Sequence, residues 1–236
     1  MNQTSDRASA AAPGERRERL SRERVVEAAL RLMDAEGLEA VTMRRVGREL
    51  GVEAMSLYNH VRDKEDVLDG IIERVMTEFD PPPSRGDWRE DAKNAAREWR
   101  RMLLRHPNVM TLMANGKKPL ANPGSFRPMD AALGILRGAG LKVRDAAQAF
   151  HAFGGYIMGF VMMEQGMILG HGVSDEEHLR EHEKFAELLA DGELPHLAEA
   201  LPLMHECAPD EQFEFGLDLM VRGLEAKLRS DRHAGS

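Results

Sequence analysis

The sequence predicts an all-α protein, and three observations carry that prediction. Apolar side chains recur at three- and four-residue spacing along most of the 236 residues, no stretch alternates with period two for long enough to make a strand, and the breaks fall on glycine, proline and capping hydroxyls. The expected architecture is an N-terminal three-helix helix-turn-helix unit followed by a larger helical domain. A chain of this length can bury a large core without staples, and its one cysteine, Cys207, excludes an intramolecular disulfide and suits a reducing compartment. No run approaches 18 unbroken apolar residues, and the first 20 residues lack the apolar block of a signal peptide, so the expectation is cytoplasmic and without a membrane partner. The net charge of −8 is unevenly placed. Residues 1–65 hold twelve basic and twelve acidic side chains, so the whole excess lies beyond them, as though the chain has two jobs.

Residues 1–20 have no periodicity and read as a flexible arm. From Ser21, a suitable N-cap, Val25, Ala29, Leu32 and Met33 mark a first helix that stops at Gly37. A second runs from Thr42 to Leu50, and a third from Glu53 to about His60 after a break at Gly51. The fourth starts at Asp63 with Val67, Ile71, Val75 and Phe79 on one stripe, and the prolines at 81–83 end it. The unit therefore spans 21–79, and 80–87 is a linker to a second domain over 88–229, with a tail at 230–236. In that domain Trp88, Ala92, Ala95, Trp99, Met102 and Leu103 make an amphipathic helix that stops before Pro107, and 115–125 reads as a loop. Phe126, Met129, Leu133 and Leu136 form the next stripe. Residues 144–170 are apolar nearly all round, so that helix should be buried on several sides. Residues 174–190 are strongly charged but keep Leu179, Phe185, Leu188 and Leu189. The last helix, 209–229, carries Phe213, Leu217, Met220, Leu224 and Leu228 on one stripe. The 144–170 and 209–229 helices are expected to form a homodimer interface, with Leu217 and Leu224 in it.

The segment 42–61, TMRRVGRELGVEAMSLYNHV, is the informative one. Val46 and Leu50 pack inward from one helix and Leu57 and Val61 back from the next, Gly51 suits the sharp turn, and Gly47 lets the two helices cross closely. Ala54, Met55, Tyr58 and Asn59 then point away from the core, surrounded by Arg44, Arg45, Arg48, Arg62 and Lys64. Such a surface suits a duplex: arginine and lysine bind phosphate or guanine, asparagine reads adenine, and alanine or methionine meets a thymine methyl.

On those residues, and on the GVEAMSLYNHV run followed by DKEDVL, residues 21–79 resemble the DNA-binding domain of the tetracycline-repressor (TetR) family of bacterial transcriptional regulators. FHAFGGYIMGFVMMEQ and FEFGLDLMVRGLEAKL resemble the C-terminal domain of the tetracycline repressors proper, which dimerises and binds a small effector. The resemblance implies that Arg44, Ala54, Met55 and Asn59 reach base edges, while Thr42, Ser56, Tyr58, His60 and Lys64 hold phosphates. Arg16, Arg17 and Arg22, placed in the arm, are either further DNA contacts or part of a solvated tail. The expected partners are a palindromic operator, a small-molecule effector and a second copy of the chain. No cofactor or metal is expected.

The effector pocket is expected to involve Met102, Met113, Phe126, Met129, Phe150, His151, Phe153, Tyr156 and Met163. Methionine re-packs easily around varied apolar ligands, and His151 and Tyr156 would supply polar contacts. Aligned with the tetracycline repressors proper, Met113 and Met163 replace the histidine and glutamate that hold a metal chelate. A thioether is a poor ligand for Mg²⁺, so the effector is expected to be apolar or aromatic rather than a magnesium–tetracycline complex. Glu164 should point elsewhere, one residue further round the helix, and His106 is the one available substitute. A rival reading is a metal-dependent hydrolase. His178, Glu181 and His182 match the inverted zinc-protease pattern, and His171 lies near, but the setting SDEEHLREHEKF is that of a solvated face.

Overall fold

A computed structural model describes residues 19–114, 123–166, 194–206 and 208–234, and these contain ten α-helices, two short 3-10 turns and no strand. The first unit consists of α1 (Arg22–Glu36), α2 (Met43–Leu50), α3 (Ala54–Leu57) and α4 (Lys64–Met76). Its boundaries follow local chemistry. Ser21 Oγ accepts from the Arg24 N–H at 3.3 Å, Thr42 Oγ1 from Arg45 at 3.2 Å, and Asp63 Oδ1 from Asp66 at 2.8 Å, so each cap satisfies an amide the helix cannot. Helix α3 is shorter than the spacing suggests, because the chain continues as turns over 58–60. Helix α1 lies across α4, and a Cβ at Gly70 would come 2.5 Å from Val26 Cγ2.

Two carboxylates beneath this crossing correct one expectation. Arg22 is the first residue of α1, and its guanidinium donates to Asp66 Oδ1 and Glu73 Oε2, each at 3.2 Å. It is committed to the fold, not to a mobile arm; Arg16 and Arg17 lie outside the described residues.

The larger unit is built around α5 (Trp88–Arg105), with α6 (Pro107–Ala114), α7 (Arg127–Gly138), α8 (Val143–Glu164), α9 (Pro195–Glu206) and α10 (Pro209–Ala234). Helix α6 follows α5 after one residue, His106, because Pro107 has no N–H to continue the first helix yet suits the first position of the next. That helix and α9 were not foreseen from periodicity, and α10 runs through most of the expected tail. An ion-pair ladder ties α5 to its neighbours. Arg97 holds Glu214 bidentately at 2.6 and 2.7 Å, Arg100 holds Glu164 at 3.0 and 2.7 Å, and Lys93 meets Asp218 at 2.5 Å. The apolar core does not stop at 80–87: one buried cluster runs from Val25 and Ile71 through Met102 and Val109 to Phe153 and Phe213. Helix α8 is less enclosed than expected, since His151, Ala152, Gly155 and Met163 are exposed.

Candidate nucleic-acid interface and effector cavity

The helix-turn-helix depends on two glycines. Gly51 ends α2 in the left-handed region, at φ 67° and ψ 34°, where a Cβ is disfavoured. At Gly47 a Cβ would come 3.0 Å from the Val52 carbonyl oxygen and 3.2 Å from the Ala54 amide nitrogen, so backbone packs on backbone there. Leu57, fully buried, then anchors α3 on Val46 and Val61.

With that face inward, the opposite one is open. Met55 is 73% exposed and Tyr58 46%, and Thr42, Arg44, Asn59 and His60 are exposed as well. Ala54, Ser56 and Lys64 are half-buried on the same side. The cations separate into two sets. Arg45 is held by Glu36 at 2.5 Å, Arg31 by Glu49 at 3.8 Å and Arg62 by Asp66 at 3.6 Å. Among the described residues Arg44, Arg48 and Lys64 form no ion pair, which leaves their charge for a polyanion. Burial disfavours ionisation of Asp66, but the Arg62 backbone N–H and the Arg22 guanidinium outweigh it and hold its carboxyl below the ordinary range.

The second feature is a cavity of about 760 Å³, a size that suits a drug-sized ligand, enclosed by the end of α4 and by α5–α8. Small residues make the space: Ala92, Ala95 and Ala96 form an alanine stripe on α5 where a packed core would place larger side chains. Met113, Phe126, Met129, Phe150, His151 and Phe153 line it, as do Trp99 and Met158. Among the described residues, no lining side chain carries a permanent charge. His151 Nδ1 sits 2.8 Å from the Ala147 carbonyl oxygen one turn back.

Three expected pocket residues are not among those lining it. Met102 is fully buried in the core. Tyr156 lies stacked on Phe213, ring centroids 5.5 Å apart, and its hydroxyl donates to the Phe213 carbonyl at 2.9 Å. Met163 is 39% exposed on the outer face of α8. Glu164 is turned to Arg100, and His106 lies between Asp34 Oδ2 at 2.8 Å and Glu78 Oε2 at 3.1 Å, so neither lines the cavity. Ser125 and the alanine stripe were missed by sequence reasoning. A stripe of alanines has the same helical period whether it packs or leaves room.

A model of bacterial regulatory proteins of the TetR family matches residues 25–71, and one of the tetracycline-repressor-like C-terminal domain matches 80–228. The chain belongs to the TetR family. It is therefore a DNA-binding transcriptional regulator that dimerises and responds to small ligands, not an enzyme. The TetR-family relatives include the transcriptional repressor DrrR1 of Streptomyces coeruleorubidus, 34% identical over 90% of this chain and 80% of that one. The class C tetracycline repressor of Escherichia coli is 32% identical over 89% of this chain and 93% of its own length. Among solved structures, TetR-family ActR of Streptomyces coelicolor in complex with actinorhodin superposes with a TM-score of 0.74 at 31% identity, covering 89% of this chain and 99% of that one. The hydrolase reading finds no support in this family. His171, His178, Glu181 and His182 lie outside the described residues, and among those described no cluster of three or more potential ligands stands ready for a metal. No described helix is long and apolar enough to cross a membrane.

Proposed function

We infer that this TetR-family regulator is a cytoplasmic repressor, released from a palindromic operator by a small apolar or aromatic effector. The observation that carries the reading is that one helix serves both features. The N-terminal end of α4 supplies Lys64 beside the recognition surface, and Met76 at its other end, with Phe79 three residues beyond it, lines the cavity. A ligand that pushes on Met76 or Phe79 acts on the element against which α1 and the helix-turn-helix are packed. Helix α6 adds a second link, since Asn108 Nδ2 donates to the Met33 carbonyl of α1 at 2.9 Å and Met113 lines the cavity. Ligand binding then favours a dimer whose recognition helices no longer match successive major grooves, roughly 34–36 Å apart.

In this reading Arg44, Ala54, Met55 and Asn59 meet bases, and Thr42, Ser56, Tyr58, His60 and Lys64, joined by Arg48, hold phosphates. The dimer forms through the outer faces of α8 and α10. Phe215 and Leu219 are 67% and 55% exposed there, and the Cβ positions of Gly159 and Gly223 have nothing near them. Leu217 is fully buried within the subunit and Leu224 is packed against the core, so the stripe expected at the interface is the one that faces inward.

Fluorescence anisotropy on the operator selected by the protein tests the assignment. Asn59→Ala and Arg44→Ala should each cost about 1–3 kcal/mol and relax base preference at one position. Lys64→Ala should weaken all sequences alike and reduce the salt slope by about one. Native affinity in all three variants would disprove the placement of α3 in the groove.

A further inference from the structure

Three helix C-termini converge on one imidazole. His106 caps the end of α5, Asp34 lies in the last turn of α1, and Glu78 stands two residues past the end of α4. Nδ1 of His106 is 2.8 Å from Asp34 Oδ2 and Nε2 is 3.1 Å from Glu78 Oε2, with the side chain only 12% exposed. A neutral imidazole has one N–H and one bare nitrogen, so between two carboxylates it satisfies one and turns a lone pair on the other. Only the imidazolium donates to both, and the carbonyl ends of three helices favour a cation at the same point. The neighbouring charges make that proton matter. Glu78 has further partners in Arg74 at 2.8 Å and Arg105 at 3.4 Å, and the buried Glu98 also faces Arg105. For Asp34 the partner is His106. Burial pushes the Asp34 carboxyl up against the hydrogen bond and charge of His106, and Glu78 and Glu27 add to the push. Helix α6, the fourth element at this corner, brings no titratable side chain and is tied to α1 by Asn108.

We propose that His106, Asp34 and Glu78 form a proton-operated latch between the DNA-binding unit and the effector domain. With the ring protonated, α1 and the end of α4 are held to the α5–α6 corner in the arrangement that grips the operator; with the ring neutral, one carboxylate is released. That the ligand-free arrangement is the operator-binding one rests on the function proposed above, and the latch itself does not.

Asparagine at position 34 can donate an N–H to the bare ring nitrogen while the other nitrogen donates to Glu78, so Asp34→Asn should close the latch on a neutral ring. Anisotropy of the full chain on its selected operator, at about pH 6 and about pH 8.5 and fixed ionic strength, reads the difference. The exposed His60 is present in every variant, so its own pH response cancels when the ratio of Kd at the two pH values is compared between variants. The native ratio, weaker at the higher pH, should exceed that of His106→Ala by about 5-fold or more. His106→Ala should bind weakly at both values, whereas Asp34→Asn should share its small ratio yet stay tight at the higher one. In spectra of the 15N-histidine-labelled chain, His106 should lose its second ring hydrogen over the interval in which native affinity falls. Equal ratios in the native chain and His106→Ala, or an Asp34→Asn chain as weak as the native one at the higher pH, would overturn the latch. So would a His106 ring whose hydrogens do not change across that interval. Should His106→Ala fail to melt cooperatively, native against Asp34→Asn decides alone. A His106-dependent change of opposite sign, tighter at the higher pH, would leave the latch standing and defeat the reading that the ligand-free arrangement binds the operator.

Discussion

Substitution of Gly216 by alanine should destabilise the protein, although alanine is the better helix former. Helix α10 meets α8 at this glycine. A Cβ there would fall within the van der Waals envelope of Tyr156 Oη and Cζ and 2.7 Å from its Cε2. The ring has little freedom to yield, because it is stacked on Phe213 and its hydroxyl donates to the Phe213 carbonyl at 2.9 Å. Two effects oppose each other. Alanine gains about 0.8–1 kcal/mol over glycine in helix propensity. Forcing a methyl into an occupied site costs about 1–3 kcal/mol, and displacing the tyrosine hydroxyl loses a further ~1 kcal/mol. The sum is a net loss of about 1–3 kcal/mol, or roughly 3–10 °C in Tm for a chain of this size. Thermal unfolding at a fixed protein concentration measures it, since dimer stability shifts with concentration. The decisive control removes the obstacle. In a Tyr156→Ala background the clash is gone, and Gly216→Ala should become neutral or stabilising by up to about 1 kcal/mol. If the substitution is equally harmful with and without the tyrosine ring, or harmless in the native background, the packing argument fails.

Leu219→Glu should yield monomer by sedimentation, because a charge on the exposed stripe opposes its burial against a second copy; Leu217→Glu should instead yield unfolded protein. A folded dimer from Leu219→Glu would place the interface elsewhere. Tetracycline with Mg²⁺ at micromolar levels should not release the operator, as the cavity is lined by Met113 where a metal ligand would be needed and Glu164 is held by Arg100; chelator-sensitive release would contradict this. Stability should fall with acid. The carboxyl of Glu214 is held below its ordinary range by its hydrogen bonds from Arg97, and that of Asp66 is lowered despite burial by the Arg62 N–H and Arg22. Groups depressed in the folded state stabilise it above their ordinary values and lose that contribution as pH drops through the folded ones, so the loss should occur below about pH 4. Asp66→Asn should lower Tm at pH 7 and shrink the acid decline, and superimposable Tm-against-pH curves for native and variant would refute the assignment.

The helix-turn-helix was legible in the residues because its determinants are local. Thr42 caps the helix it precedes, Gly51 takes the left-handed turn two residues before Glu53, and Leu57 and Val61 lie one turn apart on the face that packs inward. Those features need no knowledge of the rest of the chain, and they leave Met55, Tyr58 and Asn59 on the outside by elimination. Spacing alone could not decide between Phe213 and Phe215, or between Leu217 and Leu219. Residues two apart on a helix point about 200° apart, so α10 carries two apolar stripes, and only the packing of α5 and α8 against one of them shows which is core. The same holds for Met102 and Met113, similar in sequence setting, one sealed in the core and the other on the cavity wall. Arg22 reads as part of a basic arm until Asp66 and Glu73, more than forty residues away, are brought beneath it. Periodicity reports that a side chain is turned toward something. Whether that is a packed neighbour, an empty cavity or a second subunit depends on what the tertiary fold puts opposite, and on the size and charge it presents.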